Sequence, residues 1–488
     1  MPSLRRASHN LSHYRLATMD MGWLVPVSCV EVLMGDTFVH SSSALLRVAP
    51  LLSPLMHPVD VRIHHWFVPF RVIWSDWDEF ITGKSTPTFP TITYTTATDD
   101  YKLADALGLP DVTNTVSALP FRAYQLIYNE MYRDDDLITE VSLDTLDMRR
   151  IAWEKDYFTS CRPSAQQGSA FSIPFSSGSV PVTGIGIEDG SSTAGASKQL
   201  WETDAAAART ITAAWEDAGS NIMIEGESTS TAAGASNTPQ IRADLSQASG
   251  GIDVNDLRLA IAQQKHAEAR NRWGDRIQDY LAYHGIRPRD GRLDLPEYLG
   301  GGKQTISFSE VLATGSESGS TNLGDLAGHG IAALRTRRYG RFFAESGIVM
   351  SLMSIRPRAI YTEQIHRFWL RSDKDEFWQK EYEELGPQAV LKKEVYGAHG
   401  NSTDVFGYNG RHDDYRHHPS YVSGEFRDST HYDWHMGRIL GSSPTLNQSF
   451  VECSPTDRIY ANASEAEVKV MINHDIRAKR MVRKTARF

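Results

Sequence analysis

The stretch VDVRIHHWFVPFRVIWSDWDEFITG, residues 59–83, changes its period partway, and that change restricts the fold more than any other feature of the chain. Over 59–67, Val59, Val61, Ile63, His65 and Phe67 alternate with Asp60, Arg62, His64 and Trp66. A period of two is that of a β-strand, whose successive side chains point to opposite faces. Pro69 cannot donate to a strand ladder and predicts the end of the strand. From Ser75 the spacing turns helical, with Trp74, Trp77, Phe80 and Ile81 three or four positions apart. Ser75 followed by Asp78 resembles a capping box, and Gly83 suits a left-handed helix end. The segment therefore reads as strand, turn and short helix. Six large rings (Trp66, Phe67, Phe70, Trp74, Trp77 and Phe80) fall within residues 64–83. They are candidates for core, for a platform that stacks bases or sugars, or for a face that meets another copy of the chain. A stacking platform needs its rings on one open face, which a strand followed by a helix does not supply.

Elsewhere the pattern is mostly that of strands. WLVPVSCVEVLMG (23–35) reads as a strand, and from 331 onward apolar runs such as GIVMSLMSI alternate with turns. FRAYQLIYNEMYRDDD (121–136) is helical, with Pro120 in its first turn and a stripe of Phe121, Tyr124, Tyr128 and Met131. The longest helical signal covers 254–288, with a break expected at Gly274 and an end at Gly285 and Pro288. A third short helix is expected over Lys374–Leu385, closed by Gly386 and Pro387. Residues 176–250 are rich in Ser, Thr, Ala and Gly, a composition that cannot build a deep core. They are either a disordered linker between two domains or a surface insertion with a small fold of its own, since TITAAWEDA and NIMIEGE still carry apolar residues. No signal peptide and no membrane-spanning helix is signalled.

A net charge of −10 on 488 residues argues against a protein that coats nucleic acid over its whole surface, while leaving room for a local basic patch. Cys29, Cys161 and Cys453 lie far apart with no CxxC pair, so neither a disulfide framework nor a zinc site is signalled, which fits a reducing compartment. Enzyme signatures come close and fail. GGGKQT (300–305) has Glu297 and Gln304 where a phosphate loop needs Gly and Ser or Thr. GIGIEDG (184–190) is wrongly spaced for a dinucleotide turn, and GSESG (315–319) lacks a central Ser for a nucleophile elbow. In RHDDYRHH (411–418), His412, Asp413, Asp414, His417 and His418 could ligate a metal, or hydrogen-bond in a solvated loop or an interface. Their spacing matches no standard site. Glu154 and Asp156 sit too close in one run to be read as an acid and base across a substrate. No catalytic residue, metal or cofactor is therefore assigned. The chain ends in RAKRMVRKTARF, where Arg477, Lys479, Arg480, Arg483, Lys484 and Arg487 occur without an acid. This is either a solvated tail or a phosphate-binding arm, to which Arg5, Arg6 and Arg15 could add.

Several segments in order resemble the major capsid proteins of microviruses, small tailless bacteriophages with single-stranded DNA. They are FVPFRVIWSDWDEFITG (67–83), LPFRAYQLIYNEMYRDDD (119–136), WEKDYFTSCRPSAQQG (153–168), LPEYLGGGKQTI (295–306), NLGDLAGHG (322–330), VFGYNGRHDDYRHHPSYVSGEFR (405–427) and PTLNQSF (444–450). The resemblance covers nearly all of the chain outside 176–250 and is greatest to the gokushovirus-like branch. It implies an eight-stranded antiparallel viral jelly roll with long loop and helical insertions, formed by 1–175 and 251–488 together, with 176–250 as a surface insertion and candidate threefold protrusion. It implies pentamers within a sixty-copy T=1 shell around circular single-stranded DNA, assembled in the bacterial host cytoplasm. Scaffolding, pilot or small DNA-packaging proteins and the host cell surface are the further partners it implies; no membrane is expected. On this reading the basic C-terminal residues touch the genome from the inner face. Trp66, Trp74, Trp77, Phe80, Tyr124, Tyr157 and Phe158 are candidates for subunit interface or core. The rivals are an enzyme or carbohydrate-binding module on a jelly roll, and a monomeric single-strand DNA-binding protein.

Overall fold

The computed structural model describes residues 6–96, 101–168, 254–274, 277–285, 295–314, 324 and 326–484, with short strands between 182 and 243. The chain divides into a larger unit, Met1–Gln167 with Ala267–Phe488, and a smaller one, Gly168–His266. Eleven strands of the larger unit form its two main sheets: β1 (Ala7–Asn10), β2 (His13–Met19), β3 (Leu24–Val32), β4 (Thr37–Val48), β5 (Val59–Pro69), β6 (Glu297–Thr305), β7 (Ser307–Leu312), β8 (Leu326–Arg335), β9 (Tyr339–Phe342), β10 (Gly347–Pro357) and β11 (Val468–Arg480).

In the seven-stranded sheet, β11 pairs with β4 on one side and with β1 and β2 in tandem on the other. β4 pairs with β8 and β9, and β7 lies beyond β8. The four-stranded sheet runs β6-β5-β10-β3, and all these pairings are antiparallel. β11 alternates buried and exposed along nearly its whole length, as a strand with one face on the core must. Its Val468, Val470 and Ile472, with Leu46 and Val48 of β4, share a core with Val61 and Ile63 of β5 and Met353 and Ile355 of β10. The result is a mainly β, antiparallel architecture consistent with a jelly roll, a fold in which two facing sheets shield each other's inner faces.

A chain of imidazoles crosses this core. His40 of β4 and His65 of β5 have ring centroids 4.5 Å apart, and His40 and His474 of β11 are 5.6 Å apart. The Ser42 hydroxyl lies 3.1 Å from His40 Nε2 and 2.8 Å from His474 Nδ1, and His65 Nδ1 is 2.8 Å from Ser351 Oγ. Both ring nitrogens of each of these three imidazoles thus have a partner, which is what burial requires.

The outer side of the four-stranded sheet is covered as well. Trp66, Val68, Ile348, Met350 and Leu352 pack with Phe121, Tyr124, Ile127 and Tyr128 of the helix Leu119–Met131. Tyr124 donates to Leu24 O at 2.7 Å and accepts from the Arg149 amide at 2.9 Å, tying helix, strand and returning chain together. Every residue of β10 is buried in consequence. GGGKQT lies within β6, and a Cβ on Gly301 would come 2.3 Å from Ile63 O, so glycine serves close strand approach there.

Three local expectations fare differently. Gly274 (φ 105°) separates the helices Val254–Trp273 and Ile277–Tyr283, as its lack of a side chain permits. The helix Trp77–Thr82 does end at a left-handed Gly83, but its N-cap is Asp76, with no side-chain cap; the Ser75 hydroxyl bonds Asp76 instead. Lys374–Leu385 is not a continuous helix but two 3-10 turns, Lys374–Glu376 and Lys380–Tyr382. Side chains explain the break. Glu376 caps the first turn by accepting from the Ser372 and Asp373 amides, but the Trp378 amide donates 3.1 Å to Tyr415 Oη rather than to a helical carbonyl.

The smaller unit, which contains the whole Ser- and Ala-rich segment 176–250, holds short antiparallel pairings. Gln199–Glu202 lies between Ile185–Ile187 and Arg209–Thr210, Asp217–Ala218 pairs with Asn221–Ile222, and Val182–Thr183 with Arg242–Ala243.

Candidate functional site

The predicted ring residues divide by depth. Trp66 is buried, and its indole donates 3.2 Å to Tyr132 Oη. Trp74 is buried with centroids 5.0 Å from Phe80 and 5.3 Å from Phe89. Trp77 is half-buried against Phe70, 4.5 Å away, and Phe80 keeps 38% of its surface exposed. Tyr124 and Phe158 are buried and Tyr157 is half-buried. These rings form no shared open face; the Trp77 and Phe80 edge and part of Tyr157 reach the surface.

DYFTS explains its own residue types. Asp156 accepts from the amides of Phe158 and Thr159 at 3.0 and 2.7 Å, and from Tyr361 Oη at 2.9 Å. Phe158 then enters a separate core with Tyr361, Phe406 and Phe450. Tyr157 donates 3.0 Å to Glu394, which also pairs with Arg367 at 3.2 Å. Burial nevertheless holds the Glu394 carboxyl above its ordinary pKa.

The basic terminus is a strand for much of its length. Arg477 and Lys479 point outward from β11, on the face that also carries the exposed Lys469 and Met471 farther along the strand. Lys469 faces Arg47 in register, and Arg335 of β8 stands on the same outer face. The exposed side chains of β4, β8 and β11 thus include Arg47, Arg335, Lys469, Arg477 and Lys479, against the half-exposed Asp475 as carboxylate, which Arg338 holds at 2.6 Å. Leu16, Met471 and Leu45 lie side by side in register across the middle and are exposed. Arg480 differs: its guanidinium donates 2.9 Å to the buried Asp36 and covers the Phe38 ring, so it fastens β11 to the turn before β4. Arg6 and Arg15 likewise bond backbone carbonyls, at Gly35 and at Pro26, Asp105 and Ala106. Arg483 and Lys484 are exposed; Arg5 and Arg487 lie outside the described residues. Sequence reasoning missed Arg47, Arg335 and Lys469 because register, which joins the two ends of the chain, brings them together. Their alternation with buried neighbours was the signal.

RHDDYRHH is held by ion pairs and stacking. Asp414 pairs with Arg371, Asp413 lies 3.3 Å from Arg416 and 3.5 Å from His417, and the His418 ring stacks on His366 at 5.7 Å. His412 adopts a left-handed conformation (φ 59°) and is buried. No three His, Cys, Asp or Glu side chains gather as a metal site among the described residues. The loop instead borders a groove of about 1070 Å³ whose walls include Phe368, Trp369, Tyr415, Tyr421 and Arg427. Trp369 is 76% and Tyr421 64% exposed. Sequence reasoning does not foresee this groove, since it forms from short 3-10 turns and loop residues distant in sequence that carry no periodic signal.

Comparison with known proteins agrees with the motif order. Residues 2–486 match the family described as capsid protein (F protein). Capsid protein VP1 of Bdellovibrio phage phiMH2K is 31% identical over 486 residues, covering 93% of this chain and 89% of that protein. Capsid protein VP1 of Chlamydia phage 1 is 29% identical, covering 94% and 91%, and that of Spiroplasma virus 4 is 26% identical, covering 92% and 87%. No helix among the described residues is long and apolar enough to cross a membrane. A structural component of the virion rather than an enzyme, the chain belongs to the F-type capsid protein family of the microviruses.

Proposed function

We propose that sixty copies of this chain, arranged as pentamers, close into a T=1 icosahedral shell around a circular single-stranded DNA genome, and that the outer face of the seven-stranded sheet turns toward that genome. One observation carries the genome contact: five exposed cations stand against one carboxylate on the central strands of a chain whose net charge is −10. Concentrated Lys and Arg displace counterions from phosphates without reading sequence. The apolar row Leu16, Met471, Leu45 between them offers a surface to unpaired bases. Replacing Arg477 and Lys479 together by Glu leaves the strand pairing intact, since both side chains are exposed. Particles of normal size with reduced DNA content are expected; DNA content equal to that of the parent overturns the contact. Arg480 is unsuitable for this test because its partner is Asp36.

The segment 176–250 is proposed to form a threefold protrusion that meets the host cell. Its small polar residues suit an exposed, variable element, and the compact unit Gly168–His266 supports that reading. Deleting 186–247 behind a short Gly-Ser linker should leave particles intact and lower adsorption, and a complete loss of particles counts against it.

A further inference from the structure

Half of the exposed aromatic side chains among the described residues fall in one region, residues 368–421. Phe368, Trp369, Phe377, Trp378, Tyr415 and Tyr421 are all exposed, and the two tryptophans are the exposed ones among the described residues. A soluble surface rarely carries so much aromatic area without a partner, and interface centres are enriched in aromatic residues and Arg.

Two features sit next to each other. The groove offers Trp369, Tyr421 and Arg427. Its carboxylates are engaged within the chain: Glu363 accepts from the Leu440 and Gly441 amides, and Asp414 pairs with Arg371. Beside the groove stands a lobe, residues 373–384, with six carboxylates and two lysines around the exposed Phe377 and Trp378. The lobe is fixed there by the Trp378 amide on Tyr415 Oη, and by Arg371, which covers both the Phe377 and Tyr415 rings.

We propose that this patch is self-complementary: two copies pair about a two-fold axis, each placing its acidic aromatic lobe in the other's groove. The inference rests on the shell reading above. Adjacency of lobe and groove favours a reciprocal contact, because an isologous interface uses one patch on both copies, whereas a head-to-tail contact joins two separate patches. The lobe's negative charge meets Arg427 of the groove. The same charge disfavours single-stranded DNA as the occupant, although bases also stack on aromatic rings.

The test is disulfide trapping in assembled particles, with Cys29 replaced by Ser throughout. Particles that carry Trp378→Cys and Tyr421→Cys in one chain should give covalent dimers on a denaturing gel and nothing larger, since reciprocal links join the same two copies. Co-assembled single variants, which can link only between copies, should also give dimers. Monomers from the co-assembled variants overturn the contact, and a ladder of higher multimers from the double variant overturns its two-fold character. In parallel, Trp369→Ala should leave the melting of the unassembled chain unchanged and raise the concentration needed for assembly at least about tenfold; an unchanged threshold overturns the proposal. A parent chain that never assembles would instead refute the shell reading, so the two failures are distinct.

Discussion

The two sheets share one core yet live in different surroundings. Both faces of the four-stranded sheet are covered, by the opposing sheet and by the helix Leu119–Met131, and β10 has no exposed residue. The seven-stranded sheet is covered on one face, and along β11 alternate side chains reach the surface. The covered sheet specifies the fold; the open sheet is where residues are free to serve something outside the chain. Methionines on the two sheets make the contrast measurable. Met350 of β10 is fully buried among Trp66, Tyr124 and Leu352, whereas Met471 of β11 is about half exposed.

The largest expected effect follows from the covered side. Met350→Ala removes a fully packed side chain from between strand and helix. It should cost about 2–5 kcal/mol, the range for large-to-small core changes, read from urea unfolding of the unassembled chain. A cost below about 1 kcal/mol would mean that the helix layer yields to fill the space, and that the two sheets differ less than their burial suggests.

Acid should expose a second difference, because the interior histidines join the sheets. Burial pulls His40 down to about 4 and His474 to about 3, and holds His65 well below its ordinary value. His57, buried, and His64, half-buried, are also held near 4. A histidine kept neutral in the fold but free to protonate near 6.5 when unfolded stabilises the fold above that pH. The stability is lost as pH falls from about 6.5 toward 4, by up to about 1.4 kcal/mol per pH unit for each group. Glu467 works the other way: burial lifts its carboxyl to about 8, so between about 4.5 and 8 it favours the fold less as pH rises. Glu394, also raised by burial, acts in the same sense, and five histidines outweigh the two carboxyls in the shared window. Unfolding free energy should therefore climb from pH 4.5 to 6.5, and His40→Gln should flatten that climb. A flat profile for the parent chain would show that these imidazoles are already hydrated in the fold.

How much of this was legible in the chain can be judged residue by residue. The alternation of 59–67 announced β5, Pro69 is its last residue, and Gly83 and Gly274 stand at helix ends because their backbones need positive φ. Local rules govern such features. The alternation did not announce that Trp66 would be as buried as Phe67, since that depends on a helix more than fifty residues later. Arg480 and Arg477 look alike in sequence, yet one is fixed on the buried Asp36 and the other stands mostly exposed, 3.9 Å from Asp475; strand phase and a partner near the opposite chain end decide it. Helical spacing over Lys374–Leu385 lost to Tyr415, whose hydroxyl took the Trp378 amide.

The smallest effect belongs to the open sheet. Met471 touches Leu16 and Leu45 in register, and all three are exposed. Met471→Ala should change the stability of the unassembled chain by no more than about 0.5 kcal/mol, as surface changes away from buried features do. If this face serves only to close the sheet, nothing else should change. If it faces the genome, the same substitution should leave melting alone and weaken retention of single-stranded DNA in particles, by less than the loss from reversing Arg477 and Lys479, because phosphate contacts supply most of a sequence-independent affinity. A destabilisation near that of Met350→Ala would instead mean that the outer face is packed, and that the division between a structural sheet and a working sheet fails at its centre.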